Sequence, residues 1–274
     1  MAPRKGTKVA LAKKLVISRS SLYYKPKKTA CDEEDRAKII AVMSEHQAYG
    51  HRRVGIALGM NHKKSNRLMK KFHLKPKLRR GFRLVKPDDL GKPATPVPNV
   101  LKAICPIRPN VVWAGDFTYF WFCDRFWYVA TVIDVYTREI LGWHLGNHHT
   151  TALIIEAFKD AVWRAKTSPT YFHSDQGSEY VSGAYESLLI EHGTIPSHSR
   201  KSSPWQNGYQ ESFYNNFKLE LGDVRRFDHA GELVEAVALQ IAYYNDRRIH
   251  SALKMPPTIF KRTHEQKQLA YASH

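Results

Sequence analysis

The sequence of 274 residues lacks the features that mark several classes of protein. No run of about 18 apolar residues occurs, which argues against a transmembrane helix. The N-terminus is basic but has no apolar stretch of the length that a signal peptide needs. Three cysteines, Cys31, Cys105 and Cys123, show no CxxC spacing, so neither a disulfide framework nor a zinc site is expected. A reduced, cytoplasmic setting follows from these absences.

Acidic residues are scarce in the first hundred positions. Residues 1–100 hold 25 Lys and Arg against 7 Asp and Glu, a balance of +18, whereas residues 101–274 hold 18 of each. Because Lys and Arg release condensed counterions when they neutralise phosphates, such a segment favours a polyanionic partner. A solubilising basic tail is the alternative. Helical apolar periodicity in the same segment favours a folded, nucleic-acid-binding region instead.

The basic region, residues 1–80, is predicted to be helical. Short helices are expected within residues 8–24 and 33–47, and two more segments follow at 51–59 and 62–74, separated by a turn at Gly59. Two short helices with a basic second member predict a helix-turn-helix that contacts DNA, with a plain helical bundle as the alternative. The candidate DNA-binding residues are Arg52, Arg53, Lys63, Lys64, Arg67 and Lys70.

Residues 81–110 hold six of the fourteen prolines and are predicted to form an interdomain linker. From residue 111 to 274 the pattern changes to α/β, with helices at the C-terminal end. Strands are predicted at 111–122, 125–137, 139–147, 170–175 and 194–199, and helices at 151–166, 182–193, 204–222 and 229–251. Three strands followed by alternating helices and strands indicate a ribonuclease-H-like core.

Three acidic residues in this second part indicate phosphoryl-transfer chemistry. Asp116 lies inside an apolar, aromatic strand, Asp175 ends another strand, and Glu211 lies on a helix, with 35 residues between it and Asp175. A buried carboxylate is costly unless it is paired or metal-bound. Three together can hold two Mg²⁺ ions about 3.5–4 Å apart around a phosphodiester.

The helix that carries Glu211 is predicted to have two faces at 100° per residue. One face presents Asn207, Glu211, Tyr214 and Lys218, and the opposite one packs through Tyr209, Phe213, Phe217 and Leu221. Ser203 is the expected N-cap and Pro204 the first helical residue. The alternative is an ordinary amphipathic helix with a solvated face. That would not explain the weak helix formers Asn207 and Gly208, which suggest a ligand or backbone in close approach.

Several blocks, in order along residues 99–257, resemble the DDE integrase core of bacterial insertion-sequence transposases. The similarity is greatest to the downstream reading-frame product of the group named after insertion sequence three. The blocks are Trp113–Tyr119, Ile133–Arg138, His173–Tyr180, Ser203–Gly208, Glu211–Phe213 with Lys218, and Tyr244–Asn245 with His250, Leu253 and Pro256.

The resemblance implies a Mg²⁺-dependent enzyme that cleaves DNA at element ends and transfers the strands to a target. Asp116 and Asp175 would hold one ion jointly and Glu211 would complete a second site, with Mn²⁺ as a substitute metal. Lys218 would contact DNA, and Asn207 is a further, weaker DNA-binding candidate. For Asn207 and His173 the main role implied is that of a hydrogen-bonding scaffold. Asp134 is expected to be structural and to pair with Arg138.

The implied partners are the terminal inverted repeats, target DNA, further copies of the chain on DNA, and an upstream-frame partner or fusion product. The implied location is the nucleoid of a bacterium. A ribonuclease-H-like nuclease or resolvase that cuts without joining is the alternative enzyme. A non-enzymatic DNA-binding regulator is a third reading, which the intact carboxylate trio disfavours because clustered anions repel DNA unless cations intervene.

Overall fold

A computed structural model describes residues 5–23, 27–77, 97–102, 104–200 and 207–272 of the protein. Its helices are α1 (Lys5–Lys14), α2 (Lys27–Glu45), α3 (His51–Ala57), α4 (His62–Lys71), α5 (Thr151–Ala165), α6 (Gly183–Glu191), α7 (Gly208–Leu221), α8 (Ala230–Asp246) and α9 (Pro257–Ala272). Its strands are β1 (Val112–Phe122), β2 (Arg125–Asp134), β3 (Ile140–Gly146), β4 (Tyr171–Ser174) and β5 (Ile195–His198). Short 3₁₀ turns occur at Arg19–Tyr23, Val100–Lys102 and Val224–Arg226.

The described strands form one sheet of five in the order β3-β2-β1-β4-β5. β1, β2 and β3 make an antiparallel meander, whose first turn places Cys123 and Asp124 at φ 47 and 55. Positive φ at both central residues is the two-residue turn that matches the twist of a hairpin. β4 and β5 then add in parallel beside β1. This mixed order is the one expected of a ribonuclease-H-like core.

Helices cover both faces of the sheet because β1 carries apolar side chains on both. On one face, Phe120 packs against Phe217 of α7 and the apolar side of α8. On the other, Trp113 packs against Phe158 of α5. Gly142 of β3 permits the close approach of α5, since a Cβ there would lie 2.3 Å from the carbonyl oxygen of Ala157.

Helices α2, α3 and α4 enclose a separate small core around the buried side chains of Ile39, Tyr49, Val54 and Leu68. This helical region contacts the turn after α8. The backbone N–H of Ile249 donates to the hydroxyl of Tyr49 at 2.6 Å, and Ile249 also packs against the small core. The helical region is therefore docked on the C-terminal part of the chain.

The C-terminal helices differ from the prediction. The single helix expected over 229–251 ends at Asp246, because the N–H groups of Arg247 and Arg248 both bond to the carbonyl of Tyr243 and close its last turn. A further helix, α9, was not predicted. Residues 201–206, with the expected cap Ser203 and first helical residue Pro204, lie outside the described residues, as does most of the proline-rich segment.

None of the described helices has the length and apolar character that a membrane crossing requires. All three cysteines are exposed and free.

Candidate active site

Asp116 and Asp175 leave the sheet side by side. β1 and β4 are parallel neighbours whose register pairs Ala114 with His173. Each aspartate stands two residues farther along its segment, so the two lie on neighbouring segments. Asp116 Oδ1 accepts from the N–H of Phe117 at 2.8 Å, and Asp175 Oδ1 accepts from the N–H of Gly177 at 3.0 Å. Asp116 lies within β1, whereas Asp175 directly follows the carboxyl end of β4, a common place for ligand sites in sheets with parallel strands.

Glu211 is brought to the same place by the attachment of α7 to β1. Gln210, fully buried, donates from Nε2 to the carbonyls of Ala114 at 2.6 Å and Thr131 at 3.1 Å. The hydroxyl of Tyr214 donates to the backbone carbonyl of Asp116 itself at 2.7 Å. Glu211 lies between these two attachment points, so its place along β1 is set by its neighbours on the helix.

Asn207 makes a third attachment. Its Nδ2 donates to the carbonyl of Gly115 at 3.2 Å. The sequence predicted a ligand or backbone close to Asn207 and Gly208, and at Asn207 the backbone of β1 makes that approach. At Gly208 a Cβ would meet nothing within 4 Å, so no close approach explains that glycine, which is simply the first residue of α7.

The electrostatics show that the three carboxyl groups are neighbours. The pKa of Asp116 is raised to about 7, first by burial, then by the charge of Asp175, and more weakly by that of Glu211. The N–H of Phe117 opposes this rise. Burial is the larger cause, and the two further negative charges nearby add to it by disfavouring ionisation of Asp116.

The trio nevertheless falls short of a ready-made metal site. Within the described ranges, no group of three or more His, Cys, Asp or Glu side chains is arranged to hold a metal ion. The donor chemistry suits Mg²⁺, which prefers carboxylate oxygens and usually binds through one or two of them.

Lys218 and His173 occupy different surroundings. Lys218 lies two turns after Glu211 on α7, with Nζ 5.1 Å from the ring centroid of Tyr119 and 5.4 Å from that of Phe120. His173 is fully buried in β4, and its Nδ1 shares a hydrogen bond of 2.9 Å with Ser197 Oγ. That contact agrees with a scaffold role for His173.

The basic residues of the helical region predicted to bind DNA divide into three groups. On α4, Lys64 pairs with Asp35 at 2.6 Å and Arg67 pairs with Asp32 at 2.7 Å, so both help to hold α4 against α2. Lys63, Lys70 and Arg52 are exposed. Arg53 instead points into a cavity beside α7 and does not lie on the outer surface of α3.

Asp134 is structural, but the expected partner is wrong. Its Oδ1 accepts from the N–H groups of Tyr136 and Thr137 and its Oδ2 from the N–H of Asn110. These bonds close the turn after β2. The guanidinium of Arg138 lies 4.0 Å from the ring centroid of Tyr209 instead.

Sequence reasoning missed Gln210 and misplaced Tyr214. Tyr214 was assigned to the polar face with Glu211, whereas it is buried and its hydroxyl also contacts Thr131 Oγ1 at 2.8 Å. The available signal for Gln210 was a polar amide next to the apolar positions of a helix expected to pack on the sheet.

The chain matches the integrase core domain family over residues 106–204 and again over 192–257. It is 33% identical to the transposase for insertion sequence element IS904 of Lactococcus lactis over 250 residues, which cover 85% of this chain and 95% of the relative. The chain belongs to the insertion-sequence transposases with an integrase core. The putative transposase InsK for IS150 of Escherichia coli is also 33% identical, over 87% of each chain.

A solved structure shows the same fold. A chain of the simian T-cell lymphotropic virus intasome, in complex with PP2A regulatory subunit B56 gamma, superposes with a TM-score of 0.51 at 14% identity. The match covers 81% of this transposase and 74% of that chain. The resemblance inferred from the sequence blocks and the ribonuclease-H-like fold are both confirmed.

Proposed function

We propose that Asp116, Asp175 and Glu211 are the catalytic carboxylates of this transposase and act in both strand cleavage and strand transfer. The observation that supports this assignment is the convergence of three segments: β4 runs parallel beside β1, and α7 is bonded to β1 through Gln210 and through Tyr214, whose hydroxyl contacts the carbonyl of Asp116. In the first reaction water attacks a phosphodiester at the element end, and in the second the freed 3′-hydroxyl attacks target DNA.

The cofactor that this cluster would take is Mg²⁺, two ions in all, with Mn²⁺ as a substitute. Asp116 and Asp175 would hold one ion jointly, and Glu211 would complete the second site. Bound there, the ions would polarise the phosphodiester and favour ionisation of the attacking oxygen. A cation would also offset the burial and the neighbouring negative charges that raise the pKa of Asp116 to about 7.

The surrounding residues position these carboxylates. Gln210 and Tyr214 fix α7 to β1 by uncharged hydrogen bonds, which hold Glu211 beside Asp116. Lys218, on the same helix, would contact a phosphate or base near the cleaved bond. Asn207 would support the backbone of Gly115 next to Asp116.

The helical region would supply most of the DNA affinity. We infer a division into a basic DNA-binding region at 1–80, a linker at 81–110 and a catalytic part at 111–274. Arg52, Lys63 and Lys70 are the exposed candidates for phosphate contacts. Bringing two element ends together would require further copies of the chain on DNA, and an upstream-frame partner would aid recognition of those ends. This work would take place in the bacterial cytoplasm, at the nucleoid.

The deciding experiment is Glu211→Gln, assayed on DNA carrying candidate terminal inverted repeats with Mg²⁺. We expect cleavage and joining to be lost while DNA binding remains close to wild type, because the carboxylate acts in chemistry and the helical region binds. Glu191→Gln, which changes an exposed glutamate on α6, is the matched control. Full activity of Glu211→Gln would remove Glu211 from the mechanism.

The same assay separates the transposase from a nuclease or resolvase. Joined DNA molecules are products of strand transfer, whereas a nuclease leaves free ends. The relatives of this chain favour the first outcome.

A further inference from the structure

A cavity of about 610 Å³ lies beside α7, away from the catalytic carboxylates. The α7 residues that line it run from Gly208 to Asn216 along one flank. At 100° per residue, the centre of that flank lies roughly 130° around the helix from Glu211. The other walls come from α3, from the loop after β2, and from the turn after α8. The cavity is thus a second site, formed where the helical region meets the core.

Buried nitrogen atoms without hydrogen-bond partners among the described residues line this cavity, and those of its two arginines are donors. In the part of the chain that the structure describes, Nε of Arg53, Nε and Nη1 of Arg138, and Nδ1 of His250 are buried and have no hydrogen-bond partner. A buried polar group without a partner costs about 1–3 kcal/mol, and more when it is charged. Several such atoms around one space indicate that something with acceptor oxygens belongs there.

The cavity is also electropositive. Arg248 is neutralised by Glu220 at 2.7 Å, but no ion pair of the described residues includes Arg53 or Arg138. The crowding of positive charge is visible on His250, whose pKa falls to about 4 through burial and the charges of Arg138, Arg248 and Arg53. Guanidinium groups match phosphate oxygens in a two-point geometry, so a phosphate is the anion that these residues suit.

The remaining walls are flat and apolar. The guanidinium of Arg138 stacks on the ring of Tyr209, and Leu101, Phe213 and Tyr244 complete this side. A phosphate alone would leave most of the volume empty, because pockets of this size hold an entire small molecule. Aromatic rings and guanidinium planes are the surfaces on which unpaired bases stack.

We propose that this cavity binds one unpaired nucleotide of a DNA strand, its phosphate held by Arg53 and Arg138 and its base against Tyr209. The proposal rests on the proposed function, since it takes the ligand to be the enzyme's own DNA. The bound nucleotide would contact both the helical region and α7, because Arg53 comes from α3 and Tyr209 from α7.

The test compares two DNA duplexes of identical sequence, one blunt and one with a single-stranded overhang of three nucleotides. Binding to the full-length chain is measured by fluorescence anisotropy in EDTA, so that no strand is cut. We expect wild type to prefer the overhang duplex by about tenfold, the size of one stacked base. Arg138→Gln should abolish that preference while keeping blunt-duplex affinity. Arg125→Gln, an exposed arginine of the β1–β2 turn, is the control for loss of one charge and should keep the preference.

Equal preference in wild type and Arg138→Gln would overturn the proposal. If Arg138→Gln does not fold, as judged by its thermal midpoint, Arg53→Gln from the opposite wall is read in the same way. Wild type that binds both duplexes equally, yet gains thermal stability with dAMP alone, would show a site for free nucleotides and also overturn it.

Failure of the cavity and failure of the proposed chemistry are separable. Overhang preference is measured without metal, whereas cleavage and joining need Mg²⁺ and Glu211. If the enzyme cleaves and joins DNA but shows no overhang preference, the proposed function stands and the nucleotide site is refuted. If it shows the overhang preference but neither cleaves nor joins DNA, the nucleotide site stands and the proposed function is refuted.

Discussion

The helical region and the integrase core use charge in opposite ways. On α4, the half-exposed cations Lys64 and Arg67 pair with the acids Asp35 and Asp32 of α2, so that each of these charges has an opposite partner. In the core, Asp116 lies partly buried beside two other acids, and its pKa is raised to about 7. The ion pairs between α2 and α4 can replace one another, whereas the acidic cluster around Asp116 depends on a fixed geometry. Substitutions should therefore have small, cumulative effects in the helical region and large, individual effects around β1.

Among residues that position the carboxylates without being one of them, the largest effect is expected from Gln210→Leu, which keeps the shape of the side chain and removes its hydrogen bonds to Ala114 and Thr131. Strand cleavage at saturating DNA should slow by about 10–100-fold, the usual cost of disturbing a group that orients a metal ligand. The Kd for DNA should stay unchanged, because Gln210 has no contact with solvent. Single-turnover cleavage and anisotropy measure the two quantities.

The control for that variant is Gln266→Leu on the exposed part of α9. Unfolding in urea should show a loss of about 1–3 kcal/mol for Gln210→Leu, since backbone carbonyls lose their partner. A normal cleavage rate in Gln210→Leu would mean that α7 is held by packing alone.

A smaller effect is expected from pH at the junction of the two regions. His250 has a folded pKa of about 4, lowered by burial and by three arginines. The unfolded chain binds a proton near pH 6.5 and the folded one does not, so stability present above pH 6.5 is lost as the pH falls towards 4. At pH 5 the loss is at most about 2 kcal/mol, because His250 is only partly buried.

His250→Gln should remove that loss, as measured by urea unfolding at pH 7.5 and pH 5. His148→Gln, which changes an exposed histidine, serves as the comparison and should retain the wild-type dependence. The assignment of the pH effect to His250 fails if both variants respond to acid as wild type does.

The smallest effect is expected from Lys63→Gln in the helical region. The affinity for DNA should fall a few-fold on any sequence, and the slope of log K against log salt should drop by about 1 for one lost phosphate contact. Cleavage of bound DNA should be unaffected. Lys159→Gln on α5 gives the reference for a lysine outside the helical region, and an unchanged salt slope in Lys63→Gln would place the DNA elsewhere.

Sequence patterns predicted the sheet well because β1 and β2 are long and rich in aromatic and β-branched residues. The acidic trio could be chosen because Asp116 is surrounded by apolar residues, where an unpaired carboxylate is unfavourable. The same strand pattern carries Asp134, which was correctly judged structural.

Contacts between distant segments could not be predicted in this way. The partners of Asp134 are backbone N–H groups of a tight turn, and the side-chain types in the sequence do not predict such contacts. The end of α8 depends on which carbonyl accepts two N–H groups. The cavity needs Arg53 and Arg138, which are 85 positions apart in the sequence. Periodicity describes single elements, whereas these features arise from their assembly.

The hydrogen bond between Tyr49 and Ile249 has a consequence for how the enzyme can be divided. A cut through the proline-rich segment would separate the two regions along the chain, but it would strip Ile249 of its packing partners and leave its N–H unmatched. The glutamate that neutralises Arg248, Glu220, is the penultimate residue of α7. A core without the helical region would therefore expose the apolar surface around Ile249, close to the helix that carries Glu211.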